Sequence, residues 1–116
     1  MKNVVIADDD AGVLRLMQRA LPGYSVVVAR TGAEALLLAR RLQHCDLLIT
    51  DYLMPSMLGD ELAGRLREAC PDVKTLMVTS HSAYLQSEEC GTDAQLAKPF
   101  QCTQLREAVA SLIGLA

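Results

Sequence analysis

Three consecutive aspartates, Asp8, Asp9 and Asp10, directly follow the apolar run Val4–Ala7 in the stretch VVIADDDAG. Like charges repel, and taking them out of water beside a core strand is costly, so the cluster needs a counter-charge. Other polar groups stand at equivalent places. Asp51 follows the apolar run Leu47–Thr50, Thr79 and Ser80 close a run that starts at Lys74, and Lys98-Pro99 follows Gln95–Ala97. Several carboxylates brought to one edge suit a hard divalent cation with oxygen ligands, Mg²⁺ above all, and Mg²⁺ tends to share its shell with phosphate. Lys98 brings a positive charge and Thr79 a hydroxyl donor. Together such groups form a site for a phosphoryl group, whose oxygens need this neutralisation. A carboxylate there can itself be the nucleophile, giving an aspartyl phosphate.

Whether these residues meet depends on the elements that carry them. Val4–Ala7, Tyr24–Ala29, Leu47–Thr50, Lys74–Thr79 and Gln95–Ala97 read as strands, the first and third as runs covered on both faces. Val13, Leu14, Leu16, Met17 and Leu21 recur at helical spacing, and Pro22-Gly23 stops that helix. Thr31-Gly32-Ala33-Glu34 has the form of a capping box opening a helix to about Gln43. Further helices are expected at Asp60 to Ala69 and Thr103–Ile113, with a weak short one at Tyr84–Glu89. Five strand–helix units with short connections imply a doubly wound parallel sheet of α/β class, with helices on both faces. Ligands of such sheets bind beyond the carboxyl ends of the strands, where the polar groups lie. Asp10, just before the first helix, reads as its N-cap and not as a ligand.

Bulk composition narrows the class further. A chain of 116 residues has the length of one domain, and a hydrophobic content of 51% is enough for a core, which excludes disorder. Aromatics are only 3%, so Leu, Val, Ala and Met must fill that core. A net charge of −3 argues against a nucleic-acid-binding surface. No apolar run approaches a membrane span and no signal peptide opens the chain, so a cytoplasmic location is expected. Cys45, Cys70, Cys90 and Cys102 form no C-x-x-C pair and read as small buried apolar residues. His44 and His81 make no metal pair, and His44 reads as a loop residue.

The stretches VVIADDDAGVLRLM, LLITDYLMPSMLGDEL, LMVTS and LAKPF, in this order, closely resemble the receiver domain of two-component response regulators. The resemblance spans nearly the whole chain, so residues 1–116 are expected to form one receiver domain. It implies a flavodoxin-like (βα)5 fold with strand order 2-1-3-4-5. It also implies roles. Asp51 resembles the phosphoacceptor, and Asp8 and Asp9 the acidic pair that holds Mg²⁺ together with Asp51 and the backbone carbonyl of Leu53. Thr79 and Lys98 would each bond a phosphoryl oxygen. Pro99 follows Lys98 as in the family, often through a cis bond, and Met54-Pro55 and Gly59 match its usual loop. The implied partner is a histidine kinase or a histidine phosphotransfer protein. Such a domain binds no nucleic acid or membrane directly, and dimerises in some cases on phosphorylation. It catalyses only its own phosphorylation and dephosphorylation.

The chain departs from the family on its output side. An aromatic residue usually stands three before the lysine, on the fifth strand; here the position holds Gln95. The segment from Thr79 to Lys98 is also a few residues short, and its helix lacks an apolar stripe. Phosphorylation is therefore expected to reorganise the Thr79–Tyr84 loop more than the fifth strand. The positions two after the phosphoacceptor and two after the threonine, which affect loss of the phosphoryl group, are Leu53 and His81. Leucine cannot position water; a histidine can, although His81 reads equally well as a solvated loop side chain. TDYLMPSMLGDELAGRL also resembles receivers of hybrid histidine kinases, so a domain taken from such a protein is an alternative. An aspartate-nucleophile phosphatase is a remoter one, since Gly12 stands where its motif needs threonine. A flavodoxin-like cofactor carrier needs a phosphate loop where three aspartates stand.

Overall fold

The structure is a computed structural model that describes residues 1–80 and 91–116. Its strands are β1 (Asn3–Ala7), β2 (Ser25–Ala29), β3 (Leu47–Thr50), β4 (Lys74–Thr79) and β5 (Ala94–Ala97). Its helices are α1 (Ala11–Ala20), α2 (Gly32–Arg41), α3 (Gly59–Ala69) and α4 (Cys102–Ile113). All strand pairs are parallel, in the order β2-β1-β3-β4-β5. This is the doubly wound α/β sheet expected, with the expected strand order. The short helix at Tyr84–Glu89, His81 and Cys90 lie outside the described residues.

Strand alternation divides the core in two. Val4, Ile6, Leu47, Ile49, Leu76 and Val78 point to the face covered by α1 and α4, where they meet Leu14, Met17, Leu105 and Val109. Val5, Ala7 and Leu48 point to the other face, against Leu36 of α2 and Leu62 and Leu66 of α3. Central β1 and β3 are thus apolar on both faces, as a parallel strand covered on both sides must be. Their carboxyl ends, with that of β4, are where the polar run begins. Among the described residues no helix is long and apolar enough to cross a membrane.

Local chemistry sets most of the helix ends. Asp10 is extended and its Oδ1 accepts from the N–H groups of Gly12 at 2.8 Å and Val13 at 3.2 Å. It is the N-cap of α1, as expected. Asp10→Ala should therefore lower stability by about 1 kcal/mol, read as a shifted urea midpoint with unchanged slope. An unchanged midpoint would show that the cap contributes nothing. Gly23 beyond α1 has φ 88°, which a side chain would strain. Thr31 Oγ1 accepts from the Glu34 N–H at 3.1 Å and opens α2. That helix ends at Arg41, short of the expected Gln43, because Leu42 is already extended. Leu16, counted with the apolar stripe of α1, faces outward and is 45% exposed. Tyr24 precedes β2 instead of opening it, and its hydroxyl donates to the Gly114 carbonyl at 2.7 Å. Cys45 is buried as expected, but Cys70 and Cys102 are only partly covered. His44 lies in the loop before β3 with its Nε2 2.8 Å from an Asp46 carboxylate oxygen.

Candidate functional site

The first wall of the site is the loop from β1 to α1. The Asp8 N–H donates to the Ala29 carbonyl at 3.1 Å, which carries the β1–β2 ladder one residue beyond the strand. The next turn folds back on the Asp8 side chain, whose Oδ1 accepts from the Asp10 N–H at 2.9 Å. Asp8 is consequently 1% exposed, while Asp9 stays open to solvent. Arg30, just after β2, donates from Nη2 to the Asp9 carbonyl at 2.9 Å and holds the outside of the loop.

The second wall is the end of β3 and the loop that follows. The Asp51 N–H donates to the Ala7 carbonyl at 3.0 Å, so the two acid-bearing strand ends are locked side by side. Asp51 Oδ1 accepts from the Tyr52 N–H at 2.7 Å, and its backbone oxygen accepts from the Thr50 hydroxyl at 2.8 Å. The Gly59 N–H, at the start of α3, donates to the Tyr52 carbonyl at 2.7 Å. This closes the loop holding Leu53, whose side chain is partly exposed.

The third wall is β4 and β5. The Lys98 N–H donates to the Thr79 carbonyl at 3.0 Å, continuing their ladder, and the Lys98–Pro99 peptide is cis. From there Lys98 Nζ reaches Asp8 Oδ2 at 2.6 Å and Asp51 Oδ2 at 3.1 Å. Thr79 ends β4 fully buried. Carboxylate oxygens of Asp8, Asp9 and Asp51 lie within 4.8 Å of one another, close enough to share one cation. They are hard oxygen donors, the set that suits Mg²⁺. The structure thus joins Asp8, Asp9, Asp51 and Lys98 into one cluster and puts Thr79 at the adjacent strand end. Arg30 is a further residue of the site, which the sequence reading does not single out. Its signal was its position at the end of a strand beside β1.

Three carboxylates face one ammonium here, and the imbalance bears on Asp8 and Lys98. Burial pushes the Asp8 carboxyl above its ordinary value, and the bonds from Lys98 and the Asp10 N–H only partly offset this. Burial pulls the Lys98 ammonium down, but its bonds to Asp8 and Asp51 outweigh that and leave it raised. Lys98 is therefore firmly charged at neutral pH, and its pairing is lost only as pH rises through its raised value. Asp8 behaves in the opposite sense: the fold binds its proton more tightly than the unfolded chain does. Ionised Asp8 thus weakens the metal-free fold, and this penalty is relieved as pH falls through the raised value. Asp8→Asn should accordingly raise the melting temperature in chelator and shrink the upward shift that Mg²⁺ produces in the parent protein. A lower melting temperature in chelator would mean that the Lys98 bond outweighs the burial of charge.

A doubly wound sheet of strand order 2-1-3-4-5, with an acid cluster and a lysine at the carboxyl edge of its strands, is a receiver architecture. The chain matches the response regulator receiver domain family over residues 4–110 and belongs to it. It is 35% identical over 97% of its length to the response regulator receiver protein CpdR of Brucella abortus (strain 2308), of which it covers 98%. It spans half or less of several transcriptional regulators that it also matches. Among solved structures it is similar to the chemotaxis response regulator CheY4 of Vibrio cholerae, with TM-score 0.87 and 28% identity over 97% of this chain and 98% of that one. It is also similar to the response regulator TrrA, solved in complex with the histidine kinase ThkA, with TM-score 0.83 and 32% identity over 97% and 99% of the two chains.

Proposed function

We propose that this receiver domain is a phosphorylation-controlled switch of a two-component phosphorelay, accepting a phosphoryl group on Asp51 from a histidine kinase or a histidine phosphotransfer protein. The observation that carries the reading is Lys98 Nζ bound at once to Asp8 and Asp51, with Asp9 beside them. The solved complex of TrrA with a histidine kinase supports the choice of donor. Asp8, Asp9, Asp51 and the Leu53 backbone carbonyl would hold Mg²⁺. When bound, the cation supplies charge neutralisation for the phosphoryl oxygens.

Asp51 does the chemistry. Its Oδ1 is anchored by the Tyr52 N–H, which fixes the plane of the carboxylate. One carboxylate oxygen forms the new bond to phosphorus. The bond from phosphorus to the donor imidazole breaks, and its electron pair leaves with the imidazole. Lys98 supports the charge on the transferring group by turning its ammonium from Asp51 toward a phosphoryl oxygen. The Thr79 hydroxyl starts fully buried, so bonding another phosphoryl oxygen requires Thr79 itself to shift at the end of β4. That shift is the switch, and it controls a partner or an attached output in the cytoplasm. The domain turns over no metabolite, and it engages neither nucleic acid nor membrane itself. A hybrid-kinase origin keeps the same chemistry.

Acetyl phosphate with Mg²⁺ should add a single phosphoryl mass to the intact protein, labile as an acyl phosphate, and chelator should prevent it. No adduct from acetyl phosphate or from phosphoramidate would overturn the phosphoacceptor role. Equal yield in chelator would overturn the metal requirement.

A further inference from the structure

At the edge of the sheet opposite the acids, two cysteines that the phosphoryl chemistry does not use line one pocket. Cys45 precedes β3 and is fully buried, and Cys70 caps the end of α3 and is partly exposed. Both border a cavity of about 180 Å³ together with His44, Ala69 and Pro71. Cys70 packs against the same core cluster that contains Cys45, Leu66 and Val73.

Backbone geometry explains why they are neighbours. Leu47 pairs with Lys74 in the β3–β4 ladder, and the Lys74 N–H donates to the Asp46 carbonyl at 3.0 Å. The chain leading into β4 therefore runs beside Cys45, at about the 4.8 Å spacing of paired strands. The Val73 N–H donates to the Cys70 carbonyl at 3.0 Å, a turn that folds Cys70 back over this start. Burial, with the neighbouring Cys70 second, pushes the Cys45 thiol up to about 12. Cys102 packs against the core of the other face of the sheet and is no competitor.

We propose that Cys45 and Cys70 are a dithiol modification site, closed to a reversible intramolecular disulfide by a hydroperoxide. Cys70, partly open to solvent, reacts first. Its thiolate attacks one oxygen of hydrogen peroxide, the O–O bond breaks, and one water leaves with a sulfenic acid remaining. The Cys45 sulfur then attacks the Cys70 sulfur. The S–S bond forms, the S–O bond breaks, and the departing hydroxide takes the Cys45 proton as a second water. One peroxide is reduced and two thiols are oxidised. The ring so closed encloses β3, Asp51 and all of α3, so oxidation staples the segment that carries the acceptor at its far end.

The test is hydrogen peroxide treatment of the folded protein, alkylation of remaining thiols, and mass mapping without reductant. A variant with Cys90→Ser and Cys102→Ser is run beside the parent. The expected result is loss of two hydrogens, one peptide pair joined through Cys45 and Cys70, and a melting temperature raised by several degrees until dithiothreitol reverses it. Cys70→Ser should remove all three; it replaces a partly exposed side chain and keeps the fold if Cys45→Ser does not. Cys70 advancing to sulfinic acid while Cys45 stays alkylatable after denaturation would overturn the proposal. So would Cys70 joined only to another cysteine or to a second chain.

Discussion

Asp51→Asn is expected to reduce the acetyl phosphate adduct to background while leaving the domain folded. The substitution keeps the shape of the side chain and an oxygen able to accept from the Tyr52 N–H, now at 2.7 Å from the carboxylate. It removes the nucleophile, because an amide nitrogen gives its electron pair to its own carbonyl. With the amide oxygen at the Oδ1 place, the NH₂ stands where Oδ2 now accepts from Lys98 Nζ at 3.1 Å. Lys98 should then pair with Asp8 alone. One carboxylate fewer relieves repulsion in the cluster, so the fold should not melt earlier, and circular dichroism separates lost chemistry from lost structure. An adduct of undiminished yield in the folded Asp51→Asn variant would place the acceptor on another residue.

Gly59→Ala is expected to be the most damaging small substitution near the site. A Cβ on Gly59 would lie 2.1 Å from the Asp51 carbonyl oxygen and 3.0 Å from its carbonyl carbon. Neither is the end of a flexible side chain. The Asp51 carbonyl also accepts from Thr50, and the Gly59 N–H donates to Tyr52 at 2.7 Å, so both partners are held. The start of α3 must move away or the acceptor must turn. The loss should be about 2–3 kcal/mol, seen as a melting temperature lower by roughly 10 °C. The Mg²⁺-dependent adduct should form more slowly as well, because the backbone that moves carries Asp51. Gly64→Ala in the same helix is the control. Nothing lies within 4 Å of its added Cβ, and alanine in a helix interior is better than glycine by about 1 kcal/mol. It should therefore be neutral or stabilising. Equal losses at both positions would mean that α3 resists substitution generally and that the approach to Asp51 is irrelevant.

The difference between these two glycines shows where sequence reasoning stops. Gly59 could be matched to a family loop, and Gly64 could not be told from it by local pattern. Only the return of α3 onto the end of β3 puts a backbone oxygen in the path of one Cβ and leaves the other open. Thr79 is similar. Its place at a strand end was legible, but its complete burial depends on the packing of β4 beneath neighbours remote in the chain. Leu16 fits the stripe of α1 by spacing, yet the helix rotates Leu14 and Met17 inward and leaves Leu16 at the edge.

What the sequence determined by itself was local or periodic. Continuous apolar runs made β1 and β3 strands that must be covered on both faces, and Asp10 and Thr31 set helix starts through bonds spanning two or three residues. Because all strands are parallel, the residues just beyond them were bound to collect at one edge, and the acids, Thr79 and Lys98 could be named there. Lateral order and register were decided by the tertiary structure. Lys98 meets Asp8 across 90 positions of sequence and Asp51 across 47. No periodicity encodes those distances. They close because β1 sits beside β3, β3 beside β4, and β4 holds β5 in a register that extends through the Thr79–Lys98 bond. The reach of Arg30 to the Asp9 carbonyl and the placement of Cys45 and Cys70 on one pocket arise in the same way. Groups remote in sequence become neighbours once the ladder sets the spacing of the strands, and burial against the sheet then holds them there.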